Sequence, residues 1–551
     1  MNRLEYLLLG SLLLLLMACS SSNDNEESIP SVFTLQSVKV GDIEHLSNFE
    51  EVDPKANITL LFSDRVDEKM VRKSIYLENK NEQKVGVTYS LSADERTITI
   101  TPVKHLLPLE RYSLVVQPTL KSVAGKFLDS GKVIKIETAA DDVDKFPQLT
   151  DDELLTKVQK STFSYFWEFG HPVSGMARER STSENTVTTG GTGFGIQAML
   201  AAESRGFITR DEAADRVLKI ASFLRNKATH YHGAFAHWIN GTTGETVSFG
   251  EKDNGADLVE TSLLFQGLLS ARAYFDQESE KEQALRKIIT ELWEGIEWTH
   301  FVRENVLYWH WSPEHQWEMN LPITGWNESL IVYVLAASSP TYPIDPEIYH
   351  SGWAKNGKMK NGKDYYGITL PLGEAKGGPL FLSQYSFLGL NPKQLSDQYA
   401  NYWEQVRAHT LINRAHCIVN PNKFKGYSEK CWGITAGDGD QGYSAYSPLN
   451  DKGVITPTAA LTAIMFTPEE SLEALHYFYY KLGDKLWGDY GFYDGFNLSA
   501  NWFANQYIAI NQGPIVVGIE NYRTGLLWNV FMGIPEVKKG LSKLGFIIKN
   551  N

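Results

Sequence analysis

The hydrophobic pattern of the chain changes period near residue 140. Before that point apolar and polar residues alternate in short runs: Ile58-Thr59-Leu60-Leu61-Phe62, Arg96 to Thr101, Tyr112 to Val116 and Val133 to Thr138. Alternation of this kind marks half-buried strands. Turn signals recur between the runs at short intervals, so residues 31–140 predict a β-sandwich. The acidic stretch from Ala139 to Asp151 carries Pro147 and suits a boundary. Beyond it the apolar residues recur at helical spacing. Helices are predicted over 154–169, 211–224, 257–274, 284–298, 328–337, 395–411 and 468–482. The loops between them are long and rich in Gly, Trp and Tyr. Paired helices over 141–551 predict an (α/α)6 toroid whose funnel is floored by helix ends, where a ligand cleft would lie. The run Gly190-Gly191-Thr192-Gly193-Phe194-Gly195 does not fit the dinucleotide fingerprint. It reads as a tight loop opening a helix over 194–204.

The first residues read as an export signal. Arg3 precedes a Leu-rich run, Tyr6 to Met17, that is too short to span a bilayer. Leu16-Met17-Ala18-Cys19 has the form of a lipobox. Residues 1–18 are then a signal peptide, Cys19 the lipidated residue, and 19–30 a flexible tether. Acidic residues following Cys19 resemble the surface-export tether of Bacteroidetes lipoproteins. The expected location is the outer membrane, on its periplasmic or cell-surface face.

Composition narrows the partner class. A formal net charge of −14 argues against nucleic acid, because phosphate neutralisation needs clustered Lys and Arg. The 14 Trp, 26 Tyr and 26 Phe suit either stacking on sugar faces or a large core. Cys417 and Cys431 could be bonded to each other or be two buried thiols. Neither has the companion ligands of a zinc site. No metal or other cofactor is expected.

The candidate chemistry is carboxylic. Asp253, Asp257 and Glu260, spaced by four and three, are expected on one face at the mouth of an apolar helix. Mutual repulsion would raise at least one of their pKa values. The structural alternative is a capping Asp253 with two dipole-complementing neighbours. Glu328 follows Trp326-Asn327 and precedes Leu330, Ile331 and Val332. A carboxyl desolvated in such surroundings suits a general acid. Glycoside hydrolysis needs that acid and a second carboxylate. The base could be Asp253, Asp257, Glu260 or Asp494. Candidate substrate contacts are Trp326, Trp432, Asp494, Gln512, Glu520 and Tyr522. Against these stand plainer readings, such as a helical Glu520–Arg523 ion pair and a turn-shaping Asp494. His237 and His310 read as packing or sugar-bonding groups.

The runs TGGTGFGIQAML, DNGADLVETSLLFQGLL, WNESLIVYVLA, PLFLSQYSFLGLNP, CWGITA, YGFYDGFN, NQGP and GIENYRTGLLW, in this order over roughly residues 145–545, resemble the glucoamylase-like domain of glycoside hydrolase family 144. The preceding segment resembles a bacterial Ig-like domain. The family resemblance implies an (α/α)6 toroid and inverting hydrolysis of β-1,2-glucan or its oligosaccharides. It also implies that Asp253, Asp257 and Glu260 are the essential carboxylates and Glu328 the acid. Related domains tend to carry Asp-Gln-Gly where this chain has Asn511-Gln512-Gly513. An attached sandwich that closed one end of the cleft would favour exo action with release of sophorose. The alternatives are an endo-β-1,2-glucanase, a non-catalytic surface glycan-binding lipoprotein, and a polysaccharide lyase on the same toroid.

Overall fold

A computed structural model describes residues 32–549. The signal peptide, Cys19 and the tether expected over 19–30 therefore lie outside the described residues. The chain divides between Asp141 and Asp142 into two compact units.

The first unit is a two-sheet sandwich. Its strands are β1 (Leu35–Val40), β2 (Ile43–His45), β3 (Asn48–Val52), β4 (Ile58–Phe62), β5 (Ile75–Asn79), β6 (Lys84–Val85), β7 (Val87–Leu91), β8 (Thr97–Pro102), β9 (Arg111–Val116) and β10 (Lys132–Thr138). One sheet runs β2-β1-β4-β8-β7 and the other β3-β10-β9-β5-β6. All pairs are antiparallel except β10 with β3. The alternation seen in the sequence explains the layering. Ile58, Leu60 and Phe62 point inward, as do Ile98, Ile100, Leu114, Val116, Ile134 and Ile136, and together they form the core.

The second unit is mainly helical. Helix Asp151–Trp167 begins at a capping box formed by Thr150 and Glu153, and helix Arg210–Asn226 at one formed by Thr209 and Glu212. Helix Glu280–Glu294 is capped by Ser279, so the turn after it, not the helix, contains Trp298. Helix Tyr402–Val419 starts later than the pattern predicts. Asn401 caps it, and Leu395–Ser396 pairs instead with Ile547–Ile548. Helix Pro468–His476 gives way to a wider turn at Tyr477–Lys481. Cys417 and Cys431 are buried free thiols. No helix among the described residues is long and apolar enough to cross a membrane.

Two kinds of helix are present. Arg210–Asn226 and Glu280–Glu294 bury one face each. By contrast, Thr189 to Ala202, Leu258 to Ala271 and Leu330 to Ser338 are buried on every side, as a helix apolar all round must be. These inner elements neighbour one another in sequence. Helix Thr189–Ser204 packs on Leu258–Tyr274, which packs on Leu330–Ser338. Ser386, in the short-helical segment Tyr385–Leu388, bonds to Ile331 N and Glu328 O. Gln384 reaches Ala459 O in helix Pro457–Thr462. That helix packs on Ala509–Arg523, which returns to Thr189–Ser204.

The glycine run belongs to the helix Thr189–Ser204 rather than to a loop before it. A Cβ on Gly193 would lie 2.1 Å from Leu263 O, and one on Gly267 2.2 Å from Gly193 O. The two helix backbones touch, and the glycines are what allow it.

Candidate active site

One end of the inner helices opens into a cavity of about 390 Å³. Asp257, Glu260 and Glu328 all line it, with Thr188 and His237, and Glu179, Arg180 and Tyr443 also on its wall. Trp238, Phe249, Trp309, Phe381 and Tyr385 supply apolar ring surface.

The acidic trio is not carried on one helical face, as its spacing predicts. Asp257 is extended (φ −113°, ψ 108°) and is the N-cap of helix Leu258–Tyr274. Its Oδ1 accepts from Val259 N and Glu260 N, both at 2.9 Å. Its backbone N–H donates to Phe235 O at 2.8 Å, and Ala256–Asp257 pairs with His310–Trp311. The cap role expected of Asp253 thus falls to Asp257. Asp253 sits in the loop before, where it turns the chain through bonds with Phe249 N and Gly250. Only Glu260 is helical. It accepts from Gly190 N at 2.7 Å and from Thr188 Oγ1 at 3.4 Å, so the glycine run holds this carboxylate by its backbone.

His237 joins the trio. Its Nδ1 donates to Asp257 Oδ2 at 3.1 Å, and its ring stacks on Phe249 at 4.1 Å. Burial works against its charge, but Glu260, Asp257 and Asp253 outweigh burial and hold the imidazolium up to about 9. His310, by contrast, is held below its ordinary value by burial, against the pull of Asp257, and accepts Gly255 N–H through Nε2. Burial, then the neighbouring Asp257, pushes Asp253 up to about 6. Glu260 is raised by burial and by Asp257, against the pull of His237.

Glu328 comes from a different element. It lies in the turn before helix Leu330–Ser338, where Asn327 Oδ1 accepts from Ser329 N. Enclosure by protein pushes it up to about 7, with Asp257 and Glu260 adding to the shift. The site therefore brings a carboxyl raised to about 7, Glu328, into one cavity with the hydrogen-bonded side chains of Asp257 and Glu260. Acid–base cleavage of a glycosidic bond needs two such groups.

The six expected substrate contacts do not line the cavity. Trp326 is buried against Phe387 and Tyr402. Trp432 is fully buried, with Nε1 donating to Glu470 O. Gln512 is buried and donates to Phe492 O. Glu520 pairs with Arg205 at 2.7 Å, not with Arg523, which bonds Asp152, Thr156 and Gln159. Tyr522 is exposed on the outside of its helix. Asp494 lies behind the Ala436 wall, accepting from Asp438 N and Asn511 Nδ2, each at 2.7 Å. Burial pushes it up to about 7, against the pull of these donors. Asn511 is the position of departure from the related domains, and its amide serves as a donor to Asp494. Sequence reasoning passed over Glu179 and Arg180. Nothing in Arg178-Glu179-Arg180-Ser181 separates it from a solvated loop. In the fold, Arg180 is held by Glu179 at 2.9 Å and by Asp438 at 3.3 Å.

Among the described residues, two groups of side chains have donor atoms within 4.8 Å of one another, close enough to share a metal ion: His237, Asp253 and Asp257, and separately His232, Glu297 and His300.

The family model "Glycoamylase", described as "Putative glucoamylase", matches residues 320–535, and a bacterial Ig-like domain model matches residues 44–135. A crystal structure from Bacteroides uniformis with the same glucoamylase description is 57% identical. It covers 73% of this chain and 99% of its own, with a TM-score of 0.72. This chain belongs to the glucoamylase-like family, glycoside hydrolase family 144. An endo-β-1,2-glucanase from Chitinophaga pinensis, solved with sophorotriose and glucose, is 50% identical. It covers 72% of this chain and 99% of its own, with a TM-score of 0.71. The exo β-1,2-glucooligosaccharide sophorohydrolase (non-reducing end) of Parabacteroides distasonis is 48% identical over 420 residues. Those residues are 72% of this chain and 58% of that relative, so the match spans a little over half the relative's length.

Proposed function

We propose that the protein is an inverting glycoside hydrolase that acts on β-1,2-glucooligosaccharides and releases sophorose by exo action. The observation that carries the reading is the meeting of Glu328 with Asp257 and Glu260 in one aromatic-walled cavity. Glu328 donates its proton to the glycosidic oxygen as the bond to the anomeric carbon breaks. Asp257 or Glu260 takes a proton from water, directly or through a sugar hydroxyl, as water attacks the opposite face; Asp253, also expected as a candidate base, does not line the cavity. Asp494, expected as a further candidate base, lies behind the wall and is left out of the step. The kinship with the Parabacteroides distasonis enzyme supports β-1,2 linkage and exo action. The similarity to the Chitinophaga pinensis endo-enzyme favours a second reading, internal cleavage. Product analysis on linear and cyclic β-1,2-glucan decides: sophorose alone from linear chains supports exo action. Mixed long products, or cutting of the cyclic glucan, would establish the endo reading, and no reducing-sugar release would leave a glycan-binding protein.

The closed succession of inner elements, each packed on the next, supports an (α/α)6 toroid as the architecture of this unit. The Leu-rich run and Leu16-Met17-Ala18-Cys19 support anchoring through a lipid on Cys19 in the outer membrane. Mass spectrometry of the mature N-terminal peptide tests the anchor. Protease shaving of intact cells separates the surface from the periplasmic face.

A further inference from the structure

Resting on the hydrolase reading above, we propose that Arg180 binds substrate: its unspent guanidinium nitrogen, Nη2, donates to hydroxyl oxygens of a neutral glucosyl unit, and the ring of Tyr443 lies against that unit's apolar face. Both residues line the cavity. A guanidinium carries five N–H donors in a fixed plane. Nε of Arg180 donates to Glu179 Oε2 at 2.9 Å, and Nη1 donates to Asp438 Oδ2 at 3.3 Å and to Gln506 Oε1 at 3.4 Å. Nη2 carries the remaining donors and has no partner among the described residues. The side chain keeps 27% of its surface exposed where it borders the cavity. The engaged donors fix the plane of the group, so the free ones are held ready and little freedom is lost when a ligand meets them.

The acceptors that hold Arg180 are themselves held. Asp438 N donates to Asp494 Oδ2 at 2.7 Å, and Asp494 N donates to Gln506 O at 3.0 Å. Asn511 Nδ2 fixes the other Asp494 oxygen at 2.7 Å. Asp494, buried behind the wall, thereby becomes a positioning residue for Arg180. The Arg180 backbone bridges to Ile508, with Ala509 N donating to Glu179 O at 2.9 Å and Ser181 N to Tyr507 O at 3.0 Å. Asp438 and Tyr443 stand directly opposite each other in the hairpin Ala436–Gly439 and Gly442–Ala445, so their side chains share one face. The Tyr443 side of that hairpin is 51% exposed although it lines the cavity. A half-bare ring beside a hydrogen-bond donor matches a pyranose, which has apolar C–H faces and a hydroxyl edge. The charge balance selects a neutral partner. Glu179 and Asp438 already offset the guanidinium, and Asp257, Glu260 and Glu328 also line the cavity, against the one further cation His237. An anionic group would meet net negative charge there, whereas a hydroxyl oxygen accepts from Nη2 without adding any.

Steady-state kinetics of the full chain on a linear β-1,2-linked glucotetraose, with thermal melts of each variant, test this. Arg180→Met removes every donor and keeps the stem. KM should rise roughly ten- to hundredfold, the range for hydrogen bonds to a charged group, with kcat within about threefold because binding alone is lost. Arg180→Lys keeps a cation for Glu179 and Asp438, so it folds even where the Met variant does not, and it loses the planar fork. KM should rise here too, and likewise in Tyr443→Ala. Raising sodium chloride to about 0.5 M should leave the wild-type KM within about twofold, as a neutral partner requires. A rise of about tenfold with salt would make the partner anionic and overturn the assignment. So does a wild-type KM in folded Arg180→Met and Arg180→Lys, or a fall in kcat and melting temperature with KM unchanged, the mark of a purely structural clamp. A wild type that cleaves no β-1,2-glucooligosaccharide defeats the hydrolase reading and this assignment with it. A wild type that cleaves, with variants that match it, defeats the assignment alone.

Discussion

Gly190 donates its backbone N–H to Glu260 across 2.7 Å, and a Cβ on Gly190 would sit 2.7 Å from the same carboxylate oxygen. The bond and the absence of a side chain are one requirement seen twice. Gly190→Ala is therefore expected to push Glu260 off its donor and lower kcat by about 10². Steady-state kinetics on β-1,2-glucooligosaccharides, the substrate class proposed above, check it. Retention of kcat within a factor of two would mean that Glu260 does not depend on this position.

Glu328→Gln removes the proton that the leaving oxygen needs while keeping the side-chain shape. General acid catalysis contributes about 10²–10⁴, so the loss should fall in that range. A loss smaller than about tenfold, roughly 1.4 kcal/mol of barrier, would remove Glu328 from the acid role.

The pH dependence of activity follows from the same group. Glu328 titrates near 7 because it is enclosed by protein, and only its protonated form can act. On the alkaline side, kcat/KM is expected to fall tenfold per pH unit from about pH 7. A profile flat to pH 9 would contradict the assignment.

The raised pKa also has a stability consequence. The folded state binds the Glu328 proton more tightly than the unfolded chain does, so the unfolded state binds fewer protons between about pH 4.5 and 7. Stability from this group is complete below the unfolded pKa and is lost as pH rises through about 7. Glu328→Gln, which never ionises, should therefore melt at a higher temperature than wild type at pH 8. The gap should close toward pH 4. Thermal melts at the two pH values measure this, and an equal or lower melting temperature at pH 8 would count against a desolvated carboxyl.

Glu520 belongs to the scaffold. It is buried, bonded to Arg205 at 2.7 and 3.1 Å, and receives Gln159 Nε2 at 3.0 Å. Arg205→Met leaves a carboxylate buried without its cation and should cost about 3 kcal/mol. The variant that remains folded at low temperature should keep wild-type KM. Denaturant titration and kinetics at 10–15 °C below the wild-type assay separate this from a role in substrate binding.

The sequence was most legible where local rules act alone. Strand alternation placed Ile58–Phe62, and helical spacing found the helices Asp151–Trp167 and Arg210–Asn226, though their capping boxes at Thr150 and Thr209 were not read. Glu328 stood out because the apolar run from Leu330 follows one residue after it, although a first-turn Glu beside a capping Asn327 would give the same pattern. Spacing misled where the chain was not helical. Asp253 and Asp257 precede the helix, because Asp257 is pinned by strand pairing to His310 and by Phe235, contacts far away in sequence. The glycine run looked like a loop because local propensity disfavours glycine in helices. Only the neighbouring helix, invisible in one dimension, supplies the reason. Trp432 and Gln512 sat in aromatic, glycine-rich runs that resemble a sugar cleft. Their partners Glu470 and Phe492 belong to the core. Arg180 went unnoticed because its partner Asp438 is 258 residues away.

The bare backbone contact between Gly193 and Leu263 limits which substitutions this chain can accept. Where two helices meet without side chains between them, no substitution can adjust their spacing by a fraction of an ångström, and larger residues are shut out. The anchor points of Gly190 and Glu260 are thereby frozen together. Change in the cavity's shape is left to the loops that line it, such as those bearing Phe249, Trp309 and Tyr443.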